Sequence, residues 1–122
     1  MAVSPISLTH FESGVSIDRC RSAILTILNV AIATETDRDV ETEMICDEVR
    51  DRYLLLGQGW RGQERVYAVW MHLDIRKGRI WIQRNQTEVD LEAELLRLGI
   101  PQKSIVLGLI PPSYRALLKT EE

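Results

Sequence analysis

The sequence predicts an α+β domain: an antiparallel sheet of about four strands with helices packed on one face. Three observations predict it. One capped segment near the start carries apolar residues at helical spacing. A long stretch from Val40 to Gln83 is rich in strand formers and broken by turn residues. A second amphipathic segment ends at Gly99 and Pro101.

Ser16 precedes Ile17-Asp18-Arg19, a capping residue followed by an acid in the first turn. Ile17, Cys20, Ile24, Ile27, Leu28 and Ala31 then recur on one helical face, to about Ala33. Val30 and Ile32 widen that stripe, so the helix is expected to be covered on more than one side. Residues 1–15 read as a flexible N-terminal arm, and 16–122 as one domain.

Val40 to Asp47 alternates as a half-buried strand, with Val40, Thr42, Met44 and Cys46 on one face. Tyr53 to Leu56 is a short apolar strand. Gly57-Gln58-Gly59-Trp60-Arg61-Gly62 matches G-x-G-x-x-G, but the dinucleotide fingerprint needs a helix to follow, and a strand follows here. The glycines are instead expected to shape a hairpin loop or bulge, with Trp60 folded back onto the sheet.

Arg65 to Ile75 is the longest strand. Strict alternation places Tyr67, Val69, Met71, Leu73 and Ile75 in the core. Val66, Ala68, Trp70, His72 and Asp74 fall on the opposite face. A tight turn at Arg76-Lys77-Gly78 returns the chain through Ile80 and Ile82, with Arg79, Trp81 and Gln83 joining the mixed face. Thr87-Glu88-Val89-Asp90 resembles a capping box opening an acidic amphipathic helix that Gly99 and Pro101 stop. Ile105-Val106-Leu107 is a short buried strand or extended segment. Pro111-Pro112 breaks the chain before a last turn or two of helix.

Composition bounds the function. The apolar fraction is 45% and the net charge −3, which argues against a general nucleic-acid coat. The charge is uneven, however. Glu35 to Asp51 carries eight acids against two bases, and Arg61 to Arg84 carries six bases against two acids. Neighbouring strands pairing opposite charges explain this, as does a basic hairpin that meets phosphate. Cys20 and Cys46 lie in apolar segments without C-x-x-C spacing and read as free core thiols of a reducing compartment. The start, MAVSPISLTHFESG, lacks a basic, apolar leader, and the apolar run AILTILNVAIA is too short to span a bilayer. A cytoplasmic protein without membrane contact is the expectation.

Catalytic pieces are few. No H-E-x-x-H, G-x-S-x-G or phosphate loop is present, and no metal-ligand spacing or cofactor motif is seen. His72 and Asp74 share a strand face, where a carboxylate can orient an imidazole. A packed, hydrogen-bonded histidine is the simpler reading, with a partner contact next and a general base last. The face with Trp70, His72 and Trp81 reads either as a protein interface or as a surface covered by the chain's own ends; base stacking is the third reading. Partner-binding candidates are Trp60, Trp70, His72, Asp74, Trp81 and Gln83. Nucleic-acid candidates are Arg61, Arg65, Arg76, Lys77, Arg79 and Arg84. Edge strands and the tryptophan face make a homodimer a further expectation.

Several runs together resemble the XisI family, the excision-controlling factors of the fdxN element in cyanobacteria. They are Val66-Tyr67, H-L-D-I at His72 to Ile75, G-R-I-W-I-Q at Gly78 to Gln83, Gly59-Trp60, Thr87-Glu88, and G-I-P-x-x-x-I-V-L-G from Gly99 to Gly108. The likeness runs from about Val40 to Arg115 in one order. The N-terminal arm is longer than the family pattern, and the tail ALLKTEE lacks its aromatic run. The resemblance implies a small single-domain α+β protein with no established enzymatic activity. It also implies an accessory role in programmed site-specific DNA excision, in which a separate recombinase cuts and joins. The partner it implies is an XisH-like, nuclease-related protein. The alternative is a directionality factor that binds DNA directly through the basic hairpin.

Overall fold

The structure, a computed structural model, describes residues 15–119. Helix α1 spans Ile17–Ala33 and four strands follow: β1 Val40–Asp47, β2 Arg52–Arg61, β3 Glu64–Arg76 and β4 Arg79–Asn85. Helix α2, Leu91–Arg97, leads through a 3₁₀ turn at Gln102–Ser104 to β5, Ile105–Leu107, and α3 closes with Pro112–Lys119. The sheet has five strands in the order β1-β2-β3-β4-β5. The first four pair antiparallel, and β5 lies parallel to β4. The α+β expectation holds, with one strand more than predicted. The segment at Ile105 joins the sheet because α2 supplies the crossover that a parallel pairing needs.

The helix starts and stops follow local chemistry. Ser16 Oγ accepts from Arg19 N at 3.2 Å and caps α1. Helix α2 is capped by Asp90, which accepts from Ala93 N at 3.1 Å, and not by Thr87. Thr87 is held in the preceding loop, where its N–H and hydroxyl both donate to Asn85 Oδ1. At the far end, Gly99 takes φ 93. Gly99 N donates to Leu96 O and Ile100 N to Leu95 O, the paired bonds of a Schellman stop. Leu95 and Ile100 are both buried, which supplies the apolar contact that accompanies that motif.

One core lies between the sheet and α1, α2. It gathers Cys20, Ala23, Ile24, Ile27 and Leu28 from α1, Tyr53, Leu55, Met71, Leu73, Ile75, Ile80 and Ile82 from the strands, and Leu91, Leu95 and Ile100 beyond them. Val15 is buried at its edge. The remainder of the expected flexible arm, 1–14, lies outside the described residues. Val30 is exposed and borders a groove between α1 and α2, so α1 is covered less fully than its apolar stripe suggested. Cys20 is buried, but Cys46, expected in the core, is exposed because β1 is an edge strand. Among the described residues no helix is long and apolar enough to cross a membrane.

Two bulges set which side chains face away from the helices. Leu55 pairs with Met71 while Leu56 pairs with Val69, so Trp70 is an extra residue in β3. His72 pairs with Arg84 while Leu73 pairs with Ile82, so Gln83 is an extra residue in β4. The first bulge reverses the expected alternation. Trp70 packs against the core cluster, whereas Tyr67, expected inside, is 64% exposed on the opposite face. The glycine motif is corrected too. Gly57 and Gly59 lie within β2, and only Gly62, at φ 65, sits in the turn. A Cβ at Gly57 would fall 2.0 Å from Trp70 Nε1, so this glycine makes room for the indole.

Candidate functional site: the open sheet face

The face turned away from α1 and α2 is arranged in rows by the strand register. Asp47, Arg52, Asp74 and Trp81 form one row across β1 to β4, and Ile45, Leu54, His72 and Arg84 form the next. Glu43, Leu56 and Val69 follow, then Glu41, Gln58 and Tyr67, then Trp60 beside Arg65.

Asp74 anchors one end. Its side chain is fully buried. Arg76 donates to Oδ2 through Nε at 3.1 Å and Nη2 at 3.0 Å. The bulge at Gln83 turns its amide toward the same carboxylate, at 3.3 Å from Oδ1. Arg52 Nε lies 3.7 Å from Oδ2. His72 Nε2 lies 3.5 Å away, and that buried atom has no hydrogen-bond partner among the described residues. Burial lowers the His72 pKa below 6.5, and the Arg52 and Arg76 charges add to this; Asp74 opposes them. The imidazole is therefore held neutral near pH 7, between a carboxylate already served by other donors and two guanidiniums.

Trp81 is also covered from within. Arg115 of α3 lies over its ring at 5.4 Å and donates through Nη1 to Ile110 O at 2.7 Å. Helix α3 thus reaches the face opposite α1 and α2 at its β4–β5 side. Val106, paired with Trp81, is buried there.

The other end is built differently. Trp60 is 55% exposed and Tyr67 64%. Arg65 lies between them, 5.4 Å from the Trp60 ring and 5.6 Å from the Tyr67 ring. Its guanidinium also reaches Gly59 O at 3.4 Å and Gln58 Oε1 at 3.3 Å, and Gln58 in turn donates to Glu43. Two exposed rings are thereby held in place by one cation.

The partner candidates therefore divide. His72, Asp74, Trp81 and Gln83 come together at one end, Trp60 stands at the other, and Trp70 is on the core side. The basic candidates divide as well. Arg61 is paired with Asp37 at 2.6 Å, Arg65 is stacked, Arg76 holds Asp74, and Arg84 donates to Val69 O at 2.9 Å. Lys77 and Arg79 have no such partner among the described residues.

With this geometry in hand, comparison with known proteins is decisive. The family model described as XisI protein matches residues 16–120. The chain belongs to the XisI family. A crystal structure of a XisI-like protein from Anabaena variabilis is 34% identical, covering 81% of this chain and 94% of its own at a TM-score of 0.74. The fdxN element excision controlling factor XisI from Anabaena variabilis is 36% identical, covering 81% and 97%, at a TM-score of 0.69. No functionally curated protein matches the chain.

In this XisI family member the sequence reading missed three residues of the face: Arg52, Tyr67 and Arg115. Arg52 meets Asp74 only through the β2–β3 register. Tyr67 is exposed only because of the bulge, and Arg115 reaches Trp81 only through the fold of α3. None of these carries a local signal. A second buried carboxylate was missed for the same reason. Asp51, at φ 56, accepts Arg21 Nε at 2.8 Å and Tyr53 OH at 2.9 Å. That network burdens its neighbours: burial raises the Tyr53 pKa, helped by Asp51, and pushes the Cys20 thiol up to about 11. It ties the β1–β2 turn to α1 and lies on the core side, away from the open face.

Proposed function

We propose that this chain is a non-enzymatic accessory factor in programmed site-specific DNA excision, acting by protein contact with an XisH-like, nuclease-related partner. Membership of the XisI family supports the process, since a 36% identical relative is named as the fdxN element excision controlling factor. The observation that carries the contact is the Trp60–Arg65–Tyr67 arrangement. Exposed tryptophan and tyrosine with arginine is the composition of interface hot spots, and here the rings are already ordered, which lowers the entropy cost of docking.

The chemistry of the other end supports the non-enzymatic part. A carboxylate that orients a catalytic imidazole must accept its N–H, and Asp74 is instead occupied by Arg76 and Gln83, with His72 Nε2 left 3.5 Å away and without a hydrogen bond among the described residues. The commitment of four of the six basic candidates to internal partners favours protein contact over direct DNA binding.

Co-purification with the XisH-like partner tests the reading. The wild-type chain is expected to retain the partner at micromolar concentration. The Trp60→Ala, Tyr67→Ala double variant should lose about 2 kcal/mol or more of binding, with an unchanged melting temperature. A partner that elutes independently of the wild-type chain would remove the proposal.

A further inference from the structure

Strand β1 closes one side of the sheet and pairs with β2 over eight residues without a register shift. Trp60 N donates to Asp39 O at 3.3 Å, and these two residues stand opposite each other when the β1–β2 register is continued. In an antiparallel ladder such hydrogen-bonded pairs alternate with unbonded ones. Glu41, Glu43 and Ile45 therefore turn their N–H and C=O groups to β2, and Thr42, Met44 and Cys46 turn theirs outward. Those outward groups have no backbone partner among the described residues. They form a row on which a further strand can pair.

An open edge of this length is commonly blunted by a bulge, a proline or a lysine. Strand β1, VETEMICD, has none of these. It carries acid instead. Glu41 has no ion-pair partner among the described residues, and Glu43 accepts from the neutral Gln58 amide. Both share a face with Ile45, which is 44% exposed. On the other face Met44 packs against the core yet is only half-buried, as are Leu25 and Ile32 of α1. Leu25 and Ile32 lie on the side of α1 from which Arg21 reaches Asp51 of the β1–β2 turn. The margin of the sheet is acidic on one face and apolar on the other.

We propose that β1 is a docking edge for an extended segment of a protein partner in which basic and apolar residues alternate. The segment adds a sixth strand. Its backbone pairs with Thr42, Met44 and Cys46. Its basic side chains stand beside Glu41 and Glu43, and its apolar ones cover Met44 and the flank of α1, since directly opposite residues share a face. A second copy of this chain does not fit. Two antiparallel β1 strands would set Glu41, Glu43 and Asp47 against their own copies, and β5, which closes the other side of the sheet, is three residues long. The same acids repel nucleic-acid phosphate. This edge is separate from the Trp60–Arg65–Tyr67 arrangement carried by β2 and β3.

A synthetic peptide of about ten residues, alternating lysine with valine, tests this on the full chain. Fluorescence anisotropy follows binding, and NMR follows amide exchange. Binding should saturate. Exchange at Thr42, Met44 and Cys46 should slow roughly tenfold or more, while Glu41 and Glu43, already bonded to β2, change little. The same peptide N-methylated throughout keeps its charge and side chains but has no N–H to donate, and should not bind. Thr42→Pro removes an outward N–H that β2 does not use. It should weaken the peptide roughly tenfold or more with a nearly unchanged melting temperature, as should the Glu41→Lys, Glu43→Lys double variant. Absence of saturable binding at millimolar peptide overturns the inference. So does binding of the methylated peptide, or binding that leaves exchange at Thr42, Met44 and Cys46 as it was, since either shows charge attraction alone. The Trp60→Ala, Tyr67→Ala variant should take the peptide as the wild type does. A wild-type chain that takes the peptide but not the XisH-like protein counts against the partner reading alone.

Discussion

Asp74 and His72 occupy adjacent rows of one sheet face and have opposite electrostatic fates. Asp74 is completely buried yet stays well served, because Arg76 and Gln83 donate to it and Arg52 stands nearby. Removing such partners would leave a buried charge uncompensated, which is far costlier than an exposed one. His72 gains no hydrogen bond from the same carboxylate, and desolvation with two cations nearby keeps it neutral. Its folded pKa lies below the unfolded 6.5, so folding is fully favoured above that pH. As pH falls below 6.5 the unfolded chain takes up a proton that the folded chain resists, and stability is lost until the folded pKa is reached. We expect the melting temperature of the wild type to fall between pH 7 and pH 5 by a few degrees more than that of His72→Gln, measured side by side. Equal falls would show that His72 does not titrate against folding.

At the scale of elements, the strands are where the alternation rule failed, and the failure is local. Periodicity counts residues, and a bulge adds one without changing composition. The extra residue at Trp70 carried Tyr67 out of the core and Trp70 into it. Gly57 is the matching feature on β2, where the indole lies over the bare backbone. Gly57→Ala should therefore destabilise the fold by about 1–3 kcal/mol, the usual cost of overpacking. Chemical denaturation measures it. In the background Trp70→Leu the same alanine should cost much less, because the atoms it meets are gone. Equal costs in both backgrounds would mean that the glycine serves the backbone and not the ring. The helices, by contrast, were legible to within a few residues. Ser16, Gly99 and Pro101 act on neighbouring backbone groups, so their meaning is local. The cap of α2 was displaced from Thr87 to Asp90 because Asp caps at least as well as Thr, and the Asn85 loop holds Thr87 elsewhere.

For the whole molecule, the uneven charge along the chain gathers acids on the edge strand β1, while most of the basic candidates are held by internal partners. This bears on nucleic acid. With Lys77 and Arg79 the cations left uncommitted among the candidates, duplex DNA should bind weakly. At about 0.15 M salt no saturable binding is expected, and the log–log salt slope should be no steeper than about −2. Filter binding or fluorescence anisotropy would measure it. A steep slope that flattens in Arg76→Ala, Arg79→Ala would instead favour the directionality-factor reading.

The sequence by itself determined the α+β class, the extent of α1, the Lys77-Gly78 turn and the scarcity of catalytic groups. These depend on caps, turns, apolar period and residue inventory, all of which act over a few positions. The family was legible as well, through short runs kept in one order. Only the tertiary structure decided that Ile105–Leu107 joins the sheet parallel to β4, the exchange of Trp70 for Tyr67, the exposure of Cys46, and the meeting of Arg52, Arg76 and Gln83 at Asp74. Each depends on register between strands distant in sequence. A register is set by the packing of the whole sheet on its helices, and no single stretch of residues contains it.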